Sequence, residues 1–346
     1  SSAMLKRAPV YIHAAAALGP HGDAVSAERV RLATDPAPFE LKELVKRVVG
    51  APLRQASHLV ELAAVGSQLC LKRLPYAAPE NTAVYVGTGL AEVRKTGALF
   101  HQVFPPGPGT ASPFDFINAA NNMAAFYVAK LGGFRARNLT VTQEEFSFEW
   151  ALKLALDDLH AGSFRQALVG GIDENSQPRA NHLRRIRLRD DQPMGEGAGF
   201  LYLSHERSHA RGQLLAVRRL PAGAGLADAL AATVRELRRA DEDVELLPGF
   251  RLEPVEVAAL GRTLPQARID PYLETCGCFH TAAAFGLAAR FDTPRRVLAI
   301  HVNRDLVGRA MLIVARIDSD QKRDVFYDAR AFLGELEAKR AHTRVA

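Results

Sequence analysis

Short apolar runs alternate with longer amphipathic segments from residue 10 to residue 317, and this alternation predicts an α/β protein whose helices cover largely buried sheets. Two further observations point the same way. The short runs are almost wholly apolar, as strands buried on both faces are. Two of them close on paired or near-paired glycines, Gly87-Thr88-Gly89 and Gly170-Gly171, where a chain leaving a strand must turn.

The elements follow in order. Val10–Ala15 reads as a strand, and Leu53–Leu71 as a helix with apolar residues three and four apart. Ala83–Val86 is a strand, Phe116–Leu131 an Ala-rich helix, Leu139–Thr142 a strand and Phe148–His160 a helix. Gln166–Val169 and Gly199–Leu203 are strands, followed after a charged stretch by a strand at Gln213–Arg218 and a helix at Leu226–Arg238. His280–Arg290 is a small-residue helix, and Val297–Val302 and Met311–Ile317 are strands. The Pro/Gly-rich stretch FPPGPGTASP at 104–113 fits a loop, and residues 321–346 read as a tail.

A chain of 346 residues suggests about two domains or one large two-part fold. Lys and Arg number 44 against 38 Asp and Glu, a formal +6 that suits an acidic partner. No nucleic-acid-binding signature accompanies it, so no nucleic-acid partner is expected. Three cysteines, Cys70, Cys276 and Cys278, exclude a disulfide-built scaffold and suggest a reducing compartment. Lys6-Arg7 followed by VYIHAAAALG has the outline of a signal peptide, but His13 interrupts the run and Gly19-Pro20 follows, so a buried first strand is the better reading. No apolar run approaches the ~18 residues of a membrane span, so the expectation is a cytoplasmic protein with no membrane partner.

The stretch from Pro113 to Leu203 carries a specific series: FDFINAANNMAAFYVAKLGG, then NLTVTQEEFSFEWALKLALDDLHAGSFRQALVGG. Gly195-Glu196-Gly197-Ala198-Gly199 and the HARG of 209–212 follow it, and VYIHAAAALGPHG and VYVGTGL precede it. In this order and spacing the segments resemble the β-ketoacyl synthases, condensing enzymes of the thiolase fold. The resemblance covers residues 10–220 well and becomes patchy towards 317. It implies a five-layer αβαβα architecture with two related halves. The expected organisation is a single ketosynthase-like unit over 1–346, with halves at 4–204 and 205–320, the second shortened, and the tail at 321–346.

What the resemblance implies about chemistry is mostly missing. The family holds an acyl chain as a thioester on a Cys at the start of a buried helix, where the helix dipole favours a thiolate. Counting back from Gly170-Gly171 through Gly162, Ala155 and Ala151 puts that position at Glu145, with Ser147 at the family's Ser. The first catalytic His would fall near LLPGFRLEP at 246–254, which has none. The companion Lys falls near Thr275, and the closing GFGG loop at Leu306-Val307-Gly308-Arg309. Only the second His is retained, as His280 in CGCFHTAAAFGLA. Four of five catalytic elements are absent, so no catalytic residue is assigned.

Plainer readings stand beside these. His280 at a helix start can simply satisfy backbone groups, and Cys276, Cys278 and His280 fall short of a zinc ligand set, so neither metal nor cofactor is expected. Glu145 beside Glu144 looks like a paired-carboxylate site, or like a gate-closing or partner-facing charge.

Within the resembling family, type II polyketide and aryl polyene systems pair a catalytic ketosynthase with a homologous Cys-less chain-length factor. The resemblance therefore implies a non-catalytic subunit of such a heterodimer, shaping its partner's acyl tunnel, with acyl carrier protein as a further expected partner. Phe116, Asn122, Met123, Phe126 and Tyr127 are the expected tunnel or interface residues. The alternatives are a malonyl-carrier decarboxylase with altered chemistry, and a homodimeric scaffold for acyl groups or carrier protein.

Overall fold

The computed structural model describes residues 7–20, 22–23, 31–36 and 39–319. Its elements run β1 (Val10–Gly19), β2 (Gly22–Asp23), α1 (Lys42–Val49), α2 (His58–Lys72), β3 (Ala83–Gly87), α3 (Val93–Val103), α4 (Pro113–Asn118), α5 (Met123–Gly132), β4 (Asn138–Val141), α6 (Ser147–His160), β5 (Gln166–Asp173), α7 (Arg179–Ile186) and β6 (Gly197–Ser204). They continue with β7 (Gly212–Leu220), α8 (Leu226–Leu237), β8 (Asp243–Pro248), α9 (Pro254–Thr263), β9 (Ala267–Ile269), α10 (Leu273–Cys276), α11 (Ala282–Ala289), β10 (Arg295–Arg304) and β11 (Ala310–Ser319). The expected tail at 321–346 lies outside the described residues.

Ten strands lie in the order β4-β3-β5-β6-β1-β7-β11-β10-β8-β9, with β2 paired to the end of β1. The seam is the short antiparallel contact of β1 with β7, Val10 opposite Leu214 to Ile12 opposite Gly212. Outward from it both halves repeat one pattern. β1-β6-β5-β3-β4 matches β7-β11-β10-β8-β9, with antiparallel pairs next to the seam and parallel pairs at the edge.

Successive strand residues face opposite sides, and this sorts the core into layers. Ile12, Tyr85, Val169 and Leu201 from one half meet Leu247, Ala299, Ile313 and Ala315 from the other around α6 and α11. Their neighbours Ala16, Val84, Leu168 and Phe200 face outward beneath α1, α2 and α5. Val244, Leu246, Ile300 and Leu312 face outward in the second half, beneath α8 and α9. The result is helix, sheet, helix, sheet, helix: the five-layer arrangement with two related halves.

Several elements depart from the sequence reading. The Gly170-Gly171 pair does not close its strand, because β5 runs through both to Asp173. A side chain at Gly170 would strike the Phe200 ring, and one at Gly171 would strike Ala284, so the glycines are there to let β6 and α11 pack closely. The single helix expected at Phe116–Leu131 is two, α4 and α5, broken at Ala119–Asn122. Asn121 and Asn122 favour turns and caps over helix interiors, and only α5 has a buried side, Ala124, Ala125 and Val128. The helix expected from Leu53 starts at His58, where the Ser57 hydroxyl accepts from the Val60 amide. The charged segment before His280, which gave no sequence assignment, contains β8, α9 and β9.

Candidate functional site

The segment from β4 into α6 makes a tight strand-to-helix turn. Glu144 takes a left-handed φ of 44°, and the Ser147 hydroxyl donates to the Glu144 carbonyl (2.7 Å) while accepting from the Gln143 amide (2.9 Å). The turn leaves Glu144 exposed and drives Glu145 inward at the start of the central helix, only 1% exposed. Gly87 has to be glycine here, since a side chain on it would overlap the Ser147 backbone.

Glu145 meets Arg251, which lies in the loop after β8. Arg251 Nε and Nη2 both donate to Glu145 Oε1, at 2.8 and 2.5 Å. The guanidinium also donates to the Arg187 carbonyl at 2.7 Å and lies over the Phe250 ring, 4.7 Å from its centroid. Glu145 is buried and the Arg251 side chain is only 9% exposed, so this is a largely desolvated ion pair fixed by several hydrogen bonds.

A second polar shell lies behind it. Asn303 on β10 donates to the Glu145 carbonyl (2.7 Å) and to Glu149 Oε1 (2.8 Å). Burial raises the Glu149 carboxyl to about 8, with Glu145 adding to the rise and the Asn303 hydrogen bond opposing it. Glu149 is therefore mostly protonated at neutral pH. His301 Nδ1 is 4.0 Å from it and His301 Nε2 bonds the Tyr272 hydroxyl at 2.7 Å. Burial lowers His301 to about 3, so it is neutral.

His280 sits just before α11, against Phe250 at 6.3 Å between ring centroids. Burial lowers it to about 4; Asp173 opposes that, and Arg251 and His182 add to it. Its Nδ1 has no hydrogen-bond partner among the described residues. Next to it, the buried Asp173 carboxylate accepts from Thr281 (amide 3.1 Å, hydroxyl 2.8 Å), Gly89 (3.0 Å), Leu90 (2.9 Å) and Thr88 (3.2 Å). This carboxylate ties the ends of β3 and β5 to the start of α11.

The turn at Leu306–Arg309 is a closed hairpin between β10 and β11. Asp305 Oδ1 accepts the amides of Val307 (3.1 Å) and Arg309 (2.9 Å), so these N–H groups are not free to stabilise a substrate oxyanion. Thr275 is half-buried in α10, its amide on the Tyr272 carbonyl. No cysteine serves as a thiolate: burial raises Cys70 and Cys278 to about 12 and Cys276 well above its ordinary value. Among the described residues no group of three or more His, Cys, Asp or Glu is placed to hold a metal ion, and no helix is long and apolar enough to cross a membrane.

Phe116, Asn122, Met123, Phe126 and Tyr127 lie apart from this polar centre. Phe116 is 69% and Phe126 51% exposed, Asn122 is exposed, and Met123 and Tyr127 are half-buried. Phe100, Phe104, Phe114 and Ile117 on α3 and α4 are exposed as well, and α5 packs against the edge strand β4, where Asn138 donates to the Ala125 carbonyl (2.9 Å). Sequence reading missed Arg251, Asn303 and His301, which reach the site from the second half. Glu149 had a signal, since a residue four beyond Glu145 shares its helix face.

Residues 53–186 match the family model described as Beta-ketoacyl synthase, N-terminal domain. No curated protein matches the sequence. Among solved structures, the ishigamide ketosynthase/chain length factor superposes with a TM-score of 0.69 at 18% identity, covering 90% of this chain and 100% of that one. A type II PKS acyl-carrier protein in complex with its ketosynthase bound to the hexaketide gives 0.69 at 15% identity, covering 90% and 100%. A beta-ketoacyl synthase from Burkholderia phymatum STM815 gives 0.64 at 15% identity, covering 89% and 99%. At these identities the likeness establishes the fold, the α/β arrangement of ketosynthase structures.

Proposed function

We propose that this chain is a non-catalytic, chain-length-factor-like subunit that pairs with a catalytic ketosynthase and shapes its acyl tunnel. The observation carrying the proposal is the Glu145–Arg251 pair. Condensation needs a thiolate at the head of this central helix and proton-handling groups facing it. Here a carboxylate occupies the turn, and its charge is consumed by a guanidinium from the loop where the resemblance implies a His. Carboxylates are poor acceptors of acyl groups from thioesters, and a salt bridge makes this one poorer.

The surface supports a paired subunit. β4 is an edge strand, with Asn138 and Leu139 exposed, and α3 and α4 bury none of their residues. An unpaired edge beside exposed phenylalanines is the kind of surface that soluble chains cover with a partner. Phe116 and Phe126 on that surface are the residues proposed to reach the partner's acyl channel, with Met123 and Tyr127 behind them. An acyl carrier protein, acidic where this chain carries a net +6, is the proposed third component.

Co-expression with a catalytic ketosynthase from the same pathway, followed by gel filtration with light scattering, is the test. A 1:1 complex that Leu139→Asp and Phe116→Asp disrupt is expected; persistent separation of the two chains, or a stable homodimer of this one, refutes the assignment. Acetyl product from malonyl-loaded carrier protein and this chain alone would instead establish a decarboxylase.

A further inference from the structure

Beyond the C-terminal ends of the parallel strands β8 and β9, which finish at Pro248 and Ile269, the surface opens into a cavity of about 450 Å³. In open α/β sheets ligands bind in the crevice outside the carboxyl ends of the strands, and the volume lies within the ~300–1,000 Å³ range of small-molecule sites. Phe250, Leu252, Val257, Ile269 and Leu273 form its apolar walls, and Arg189, Gln192 and Glu274 are the charged or amide side chains that line it. Glu145, Arg251 and His280 do not line it, although the Phe250 ring also carries the Arg251 guanidinium. The cavity therefore adjoins the polar centre and is distinct from it.

Most of its polar groups are already engaged. Gln192 Nε2 donates to the Phe250 carbonyl (2.8 Å), and Gln192 Oε1 accepts from the Arg189 amide (3.0 Å). Arg189 Nε lies 3.3 Å from Asp191 Oδ1, and its Nη1 lies 3.4 Å from both oxygens of Glu253, so one guanidinium serves two carboxylates. Two neighbouring arginines pair elsewhere, Arg251 with Glu145 and Arg304 with Glu256. Glu274 differs. Its carbonyl accepts from the Leu32 amide (2.7 Å), but its exposed carboxylate has no hydrogen bond or ion pair among the described residues, Arg31 included. Three carboxylates thus stand at an apolar cavity whose lining has a single guanidinium.

We propose that this cavity binds a small lipophilic amine, its hydrocarbon body against the apolar walls and its ammonium donating to the Glu274 carboxylate. Removing hydrocarbon from water drives the binding. The charge sets the selectivity, because an anionic head would meet the carboxylates of Asp191, Glu253 and Glu274 whereas an ammonium offers three donors to the free one. The site is separate from the acyl chemistry proposed for the partner.

Isothermal titration of the full chain with hexylammonium, 1-hexanol and hexanoate, at neutral pH and constant ionic strength, is the test. Saturable 1:1 binding is expected, with hexylammonium about threefold to fivefold tighter than 1-hexanol, the gain of one exposed ion pair, and hexanoate weakest. Glu274→Gln should remove the preference for the amine and leave 1-hexanol unchanged. Ala258→Trp, at an exposed position on α9 that lines the cavity, should weaken all three, with circular dichroism to establish that it folds. Glu80→Gln, at an exposed carboxylate elsewhere, should change nothing. Absence of saturation at millimolar hexylammonium, equal affinity for it in wild type and Glu274→Gln, or undiminished binding by a folded Ala258→Trp overturns the proposal.

Discussion

Replacing Arg251 with methionine isolates the interaction at the centre of this molecule. The substitution keeps much of the side-chain volume and the packing on Phe250, but leaves Glu145 buried with neither of its two guanidinium hydrogen bonds. Removing one member of a buried ion pair costs about 3–5 kcal/mol, most of it the desolvation of the charge left behind. A carboxylate buried without a partner is disfavoured against its neutral form, so the deficit is expected to be smaller at pH 5 than at pH 8. Replacing Glu145 with glutamine in the same chain removes the stranded charge and restores most of the stability, since the Asn303 bond is to the Glu145 backbone carbonyl and survives. Urea unfolding of wild type, both single variants and the double variant at pH 5 and pH 8 measures the whole cycle. Equal losses in Arg251→Met and in the double variant, without pH dependence, would refute the reasoning, because the pair would then contribute no electrostatic energy.

Other expectations follow from the same geometry. Burial raises Glu92 and Glu174 to about 7 and Glu149 to about 8, and lowers His182 and His280 to about 4 and His301 to about 3. The raised carboxyls lose stability as pH rises from about 4.5 through their folded values, and the depressed histidines lose it as pH falls from about 6.5 through theirs. The two slopes oppose each other between about 4.5 and 6.5, so unfolding free energy should be nearly flat there, falling towards pH 8 and below pH 4; a steady rise from pH 6.5 to 8 would contradict the burial argument. Glu149→Gln should flatten the alkaline arm of that profile while changing stability little at pH 6, because the native group is protonated there; an unchanged alkaline arm would mean that Glu149 is not its source. Gly199→Ala, which would push a methyl into the backbone of Ala284, should cost about 1–3 kcal/mol, and a neutral result in thermal unfolding would show that α11 is not held flush on β6. With a catalytic partner, Met123→Trp should shorten the acyl product read by mass spectrometry, and unchanged chain length would remove this residue from the proposed tunnel.

The layered fold was legible because its strands are buried on both faces. Such strands read as apolar runs whatever they pack against, and β1, β3, β6, β10 and β11 carry that signal in their own residues. β8 was hidden because Asp243 and Glu245 make it look like a charged loop. Glu245 is tolerated inside only because Arg290, Arg295 and Arg268 surround it, and those lie 23 to 50 residues away. The break between α4 and α5 was harder to read, since helical periodicity continues across it and the local preference of Asn121 and Asn122 for a turn prevails because α4 has no buried side to hold the helix together.

The same division applies to the candidate site. By itself the sequence determined the alternation of buried strands and helices, the lack of any cysteine near the head of the central helix, and a glutamate in the turn that precedes it. Only the tertiary structure decided what that glutamate is. Its charge is cancelled by Arg251, 106 residues away on the opposite half, and its carbonyl is held by Asn303, 158 residues away. The physical reason is that local spacing governs which face of a helix or strand a residue presents, whereas the ionisation and pairing of a buried group depend on every charge and dipole that folding brings within a few ångströms.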